Sequence, residues 1–460
     1  MIALGFKQLT ALTLGAVCFL SSSFASAHAP PLATEVRWLD SPGGERVVVR
    51  TNRGFIVGDP ATGSFRLVCN DAFGASLVEV PPVAEASGGA LLVGTFAGGL
   101  LRSDQALCDF EPIGPAAVSP VDLLSEPAGT IRAVVFPLDG SDARLYESTN
   151  GGDAFEERAA LSGAPSALLQ APSRPNRLYI STTTADGNLV VGHVLVSDDG
   201  GREFTDHELE LDGSELRVFV SAVDPADPDL VFVRTQSRDR VTLERILRSD
   251  DAGLTFETVL QTEGPIKIVV DRGGDVWAGG LGGLFRSRDA GVSFEVVEGI
   301  DLTRIDCLAV HADALYVCGF SEGEFGVLVS NDQGTTFDWF LRFPEVTARL
   351  DCPSSSDEAA ACEAAFADWA REQSGTVPEG GSAGGGSTNG NVGGAGAMGG
   401  GSGVSAGNNP AASAGAFAGS RTQPATGCQI KGSRAGVGDA GFVALLGLAA
   451  LRWRRRARRA

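Results

Sequence analysis

Between about residues 35 and 341 the chain repeats one local pattern. A short apolar run with alternating polar positions is followed by a cluster of Gly, Asp, Asn, Ser or Pro. Val36-Arg37-Trp38-Leu39 and Arg46-Val47-Val48-Val49-Arg50 are the first such runs. A period of two bounded by turn residues predicts β-strands. The last repeat gives the layout in full, with runs at 305–310, 314–318, 325–329 and 337–341, and so predicts a four-stranded meander. An amphipathic helical pattern follows the strand region, in 351–373. Ser356 is placed to cap it, Asp357 and Glu358 suit its first turn, and Cys362, Phe366 and Trp369 fall on one face. That spacing predicts a short helix docked on the strand region.

The turns between the third and fourth runs share a signature, Ser-x-Asp-x-Gly-x-x-Phe. Its copies are Ser148, Asn150, Gly152 and Phe155; Ser197, Asp199, Gly201 and Phe204; Ser249, Asp251, Gly253 and Phe256; Ser287, Asp289, Gly291 and Phe294; and Ser330, Asp332, Gly334 and Phe337. Ser and Asp side chains close such turns by hydrogen-bonding nearby backbone N–H groups, and Gly takes φ > 0 without a Cβ clash. Degenerate copies end at Phe65 and Phe110, so seven marks recur 38 to 52 residues apart. This resembles the Asp-box (BNR) repeat of β-propellers, a group that includes sialidases, sortilin-type receptors and photosystem II assembly factors. Period and resemblance together predict an all-β fold, a seven-bladed β-propeller over 28–350. The resemblance also implies ligand contact at one rim and the channel mouth, where the longer connections 182–188, 235–242 and 319–324 are the candidate contact loops. Val346 to Leu350 is a candidate closing strand.

Composition adds the ends of the chain. The 460 residues carry a formal net charge of −21. Six arginines lie in the last 21 residues, and setting these and Lys7 aside leaves −28 on the rest. An acidic body argues against nucleic acid as a partner, because phosphate backbones need Lys/Arg clusters. Residues 1–27 predict a secretory signal peptide, with Lys7, an apolar stretch and Ala25-Ser26-Ala27 before the cleavage point. Residues 374–426 are Gly, Ser, Ala and Asn with few charges, which predicts a disordered linker. Residues 427–460 join Cys428, a short apolar helix and the arginine run. This layout resembles the C-terminal surface-sorting signals of myxobacterial type, and it implies processing near Cys428 and a membrane contact through the C-terminus.

An oxidising compartment predicts disulfides. Pairing Val310 with Leu315 across a hairpin sets Cys307 opposite Cys318. Cys352 with Cys362 would staple the helix to the loop before it, which leaves Cys69 with Cys108.

No catalytic set, cofactor or metal site emerges. His28, His193, His207 and His311 form no ligand cluster in sequence, and no Ser-His-Asp set or phosphate loop is evident. A sialidase needs a Tyr nucleophile, and Tyr146, Tyr179 and Tyr316 all lie inside predicted strands. The expectation is therefore an exported, monomeric cell-surface propeller. It would act as a binding or scaffold module for a surface protein or carbohydrate. A surface glycoside hydrolase is the alternative.

Overall fold

The computed structural model describes residues 30–373, except 42–43, 77–79, 127–128, 188, 239–242, 301 and 322–323. The expected signal peptide, linker and C-terminal segment with Cys428 lie outside the described residues. The chain forms seven four-stranded antiparallel sheets, each built from four strands consecutive in sequence. These are the blades of a seven-bladed propeller, at 33–69, 83–113, 118–161, 164–210, 215–263, 267–296 and 304–342. First strands of neighbouring blades from blade 2 round to blade 7, and of blades 7 and 1, contact one another along the inner ring.

Each sheet packs on both faces, so middle strands carry apolar runs that face both ways, as in Val47-Val48-Val49 and Leu91-Leu92-Val93. In blade 1, Val47, Val49, Ile56 and Leu67 face blade 7, while Val48, Phe55, Val57 and Val68 face blade 2. The period of two thus divides one strand between two inter-blade cores.

Blade 1's four strands all come from 33–69, so among the described residues no shared sheet closes the ring. Packing closes it instead. Trp38 of blade 1 stacks on His311 of blade 7 at 4.2 Å and meets Tyr316 edge-on at 4.7 Å. His311 Nε2 also lies 2.9 Å from Glu45. The candidate closing strand contributes a single parallel bridge outside blade 1. There Leu67 N–H donates to Ala348 O and Leu350 N–H donates to Leu67 O, both at 3.1 Å.

The helix Asp357–Gln373 then lies along the outer edge of blade 1. Ser356 Oγ accepts the N–H of Ala359 at 3.1 Å and caps its start. Cys362 enters the core between blades 1 and 2, and Trp369 enters the core between blades 7 and 1. One short helix therefore spans both junctions of the first blade.

The disulfides follow this path. Cys69 is bonded to Cys362, Cys108 to Cys352, and Cys307 to Cys318. The expected pairs Cys352–Cys362 and Cys69–Cys108 are corrected. The C-terminal strap brings Cys362 to the end of blade 1's outer strand and Cys352 to the turn before blade 2's outer strand. Both new bonds therefore tie the chain's end to its beginning.

Candidate functional site

An antiparallel meander puts its first–second and third–fourth connections at one end. Its second–third connections, and the links to the next blade, emerge at the other. The five repeated turns are all third–fourth connections and share the first end. In each, the Ser hydroxyl donates to the Asp or Asn Oδ1 at 2.7–2.9 Å and accepts the Gly N–H at 2.8–2.9 Å. The same Oδ1 accepts an N–H four residues on, at 2.8–3.1 Å. Arginines just before two of these Ser positions, and Arg102 in the degenerate copy that ends at Phe110, latch onto the next blade's turn. Arg102 pairs with Asp153 at 2.7 Å, and Arg248 and Arg286 donate to the carbonyls of Ala290 and Gln333 at 2.8 Å. The turn residues are thus committed to backbone and blade packing.

These hydrogen bonds also fix the acid response. Donation by Ser293 to Asp289, and by Thr336 to Asp332, holds each carboxyl down at about 2. Both values lie below the unfolded carboxylate value, so their stabilisation is present above about pH 4 and is lost as pH falls towards 2. We expect the urea midpoint to fall over that window. The Asp289→Asn, Asp332→Asn double variant should show a shallower fall; an identical profile would refute the assignment.

The opposite end carries the second–third connections. Five successive blades each expose one large apolar residue there: Phe96, Leu138, Leu189, Leu243 and Leu281. The three candidate contact loops belong to this end, but they are mostly strand. Thr182 to Asp186 pairs residue by residue with Leu189 to His193, and Gly319 to Ser321 pairs with Glu324 to Gly326. They are projecting hairpins rather than long loops. Of 235–242, residues 239–242 are not described.

Inside this end lies a set of charged side chains. Glu35 and Arg37 come from blade 1's first strand, Arg50 from its second, Lys267 opens blade 6, and Arg304 and Asp306 open blade 7. Arg234 and Glu244 come from blade 5, and Asp122 from blade 3. Glu35 interacts electrostatically with Lys267, and Asp122 with Arg37 and Glu35. Blades 1 and 6, or 1 and 3, are not neighbours, so these electrostatic interactions run across the centre of the ring.

Each acid in this set has at least one partner, although Asp306 Oδ2 is buried without a hydrogen bond among the described residues. Glu35 pairs with Arg37, and with Arg50 at 3.0 Å. Burial pushes the Glu35 carboxyl up, but the two guanidiniums outweigh it and the net direction is down. Asp122 accepts backbone N–H groups of Leu168 at 2.8 Å and Leu123 at 2.9 Å. Burial still raises it to about 6. Glu244 accepts the N–H of Ile266 at 3.1 Å, and Asp306 pairs with Arg304. Arg234 stacks on Phe219, 3.9 Å from the ring centre. Lys267 is different. Among the described residues no carboxylate closes on it as a salt bridge. Burial first, then repulsion from Arg234 and Arg50, pushes its ammonium down to about 8, against the attraction of Asp306 and Glu244.

The three tyrosines pack between blades. Tyr179 donates to Pro228 O at 2.6 Å, Tyr316 packs on Trp38 and Phe340, and Tyr146 borders the core between blades 2 and 3. Sequence spacing could not signal the channel set, because its members come from blades far apart in the chain. The exposed apolar tips had a weak signal, a large apolar residue where a hairpin should turn.

No protein-family model matches the chain, and no curated protein matches it at a significant level. Solved structures with a similar fold include the extracellular domain assigned to a one-component system from B. thetaiotaomicron. The identity is 14%, the match covers 65% of this chain and 38% of that one, and the TM-score is 0.44. The chain therefore spans well under half of that structure's length. The β-propeller domain of the Trilobed protease from Pyrococcus furiosus is similar at 8% identity, covering 71% and 100%, with a TM-score of 0.43. A puromycin-hydrolysing peptidase from Mycobacterium tuberculosis is similar at 12% identity, covering 70% and 55%, with a TM-score of 0.45. These are likenesses of fold alone.

Proposed function

We propose that this propeller is an exported, monomeric surface binding module that takes an acidic group of its ligand into the channel mouth. The ligand is a surface protein or carbohydrate that presents carboxylates. The observation that carries this reading is Lys267, which has no salt bridge among the described residues and is repelled by Arg234 and Arg50 while only Asp306, Glu244 and Glu35 attract it. A bound carboxylate relieves that repulsion, and the exposed tips from Phe96 to Leu281 give apolar contact around it. Three disulfides support export. The repeated turns support membership of the Asp-box (BNR) propellers. We further propose that the segment 427–460, with processing near Cys428, anchors the protein at the cell surface.

The test is calorimetric titration with a hexaglutamate peptide and with a uronic-acid oligosaccharide. We expect one of them to bind, about ten-fold more weakly in Lys267→Gln, and to lose affinity as pH rises through about 8. Equal binding by Lys267→Gln would remove the channel from the reading. The surface glycosidase alternative draws on one observation, the divergence of Asp122 upward and Glu35 downward. Both Asp122 oxygens already accept backbone N–H groups, which favours a structural role. Cleavage of the oligosaccharide by the wild type and not by Asp122→Asn would reverse that preference.

A further inference from the structure

Blade 4 brings together three residues that the sequence separates. Thr184 lies on its second strand Arg174–Asp186, His193 on its third strand Leu189–Ser197, and Asp206 on its fourth strand Thr205–Glu210. Thr184 Oγ1 is 2.8 Å from His193 Nε2, and His193 Nδ1 is 3.0 Å from Asp206 Oδ1. An ionised carboxylate only accepts, so Asp206 fixes the proton on Nδ1. Nε2 is then an acceptor, and the Thr184 hydroxyl donates to it. The imidazole is buried, while Asp206 is exposed.

Position supports more than a cross-strand ladder. The same face of blade 4 carries buried Leu178, Ile180 and Leu195 against blade 3. Only towards the apolar-tipped end does it change to Thr182, Thr184 and His193. Blade 4's second strand has 13 residues, and its hairpin carries Thr184 towards that end. Beside Thr184, the Thr182 hydroxyl is buried and makes no hydrogen bond among the described residues. Gly163 covers this corner with backbone alone. A Cβ there would stand 3.0 Å from Thr184 Cγ2 and 3.2 Å from Thr182 Oγ1. The corner therefore holds a hydroxyl aligned on a base, an unused hydroxyl donor and a cover without a side chain.

We propose that Thr184, His193 and Asp206 form a hydrolytic triad for carboxylic esters of small acyl groups. Thr184 Oγ1 attacks the acyl carbon while its proton passes to His193 Nε2. The bond from the acyl carbon to the alcohol oxygen breaks, and His193 returns the proton to the departing alkoxide. Water then attacks the acyl-threonine with His193 again as base, and the proton goes back to Thr184. The sum is ester plus water giving acid plus alcohol. Asp206 holds the imidazole in the required tautomer and stabilises its cation, and Thr182 is placed to donate to the developing oxyanion.

The test uses the full chain with p-nitrophenyl acetate, and separately with a fluorophosphonate probe followed by peptide mass spectrometry. The expected result is turnover with the phosphonyl adduct on Thr184. Turnover should be retained by Thr184→Ser and lowered by about 10²-fold or more in Thr184→Val and His193→Gln. Thermal melting of each variant separates lost chemistry from lost fold. The adduct on the wild type needs no variant at all. Hydrolysis unchanged in a folded Thr184→Val, or no label on Thr184, would overturn the proposal.

Discussion

Replacing Cys352 and Cys362 by serine is expected to destabilise the propeller more than any comparable change inside one blade. Each bond removed should cost about 2–5 kcal/mol. The first and last blades share no sheet, so their junction depends on side-chain packing and on the strap that follows blade 7. The strap is held by Cys69–Cys362 and Cys108–Cys352, with sequence separations of 293 and 244. Cys307–Cys318 closes a separation of only 11 within one hairpin. In the chain-entropy account, the difference between separations of 293 and 11 is worth about 3 kcal/mol. Denaturant midpoints should therefore fall much further for the Cys352→Ser, Cys362→Ser pair than for Cys307→Ser, Cys318→Ser. Trp369→Ala should add a packing loss of about 3–5 kcal/mol, because its ring fills the core between blades 7 and 1. If the Cys352→Ser, Cys362→Ser variant, which removes two bonds, costs no more than the Cys307→Ser, Cys318→Ser variant, which removes one, the strap does not secure the closure.

What could be seen in the sequence was local. Strand alternation and the Ser-x-Asp-x-Gly-x-x-Phe turns operate within a few residues, and they place all seven blades. The Cys307–Cys318 bond is local too, since hairpin register alone sets it. The other bonds were not visible, because they depend on where a strap lies after the whole ring has closed. The same holds for the channel. Glu35, Asp122, Arg234, Lys267 and Asp306 become neighbours only when blades 1, 3, 5, 6 and 7 face a common axis. The Thr184, His193 and Asp206 chain lies between these cases. Its residues occupy three consecutive strands, but their spacing of nine and thirteen residues is the spacing of any hairpin, and only the register reveals the contact.

The repeated turn makes a sharper prediction about glycine. Gly291 has φ +79°, and a Cβ added there would stand 2.3 Å from Phe232 Cε1. Gly334 has φ +80°, and its Cβ would stand 2.7 Å from Trp277 Cη2. Both rings are fully buried and belong to the preceding blade, so neither can swing aside cheaply. Alanine at either position meets the left-handed backbone penalty of about 1–2 kcal/mol together with overpacking of about 1–3 kcal/mol. The expected loss is about 2–5 kcal/mol at each. Gly253 has the same turn and φ +87°, but its nearest contact would be Val194 at 3.4 Å. Gly253→Ala should therefore show the backbone penalty with little overpacking. Gly213→Ala, with nothing within 4 Å, should change stability by no more than about 0.5 kcal/mol. Urea unfolding of the four variants gives the order. If Gly253→Ala is as damaging as Gly291→Ala, the glycine is required by the turn alone. If it is milder, the turn also acts as the wedge through which each blade seats on the one before it.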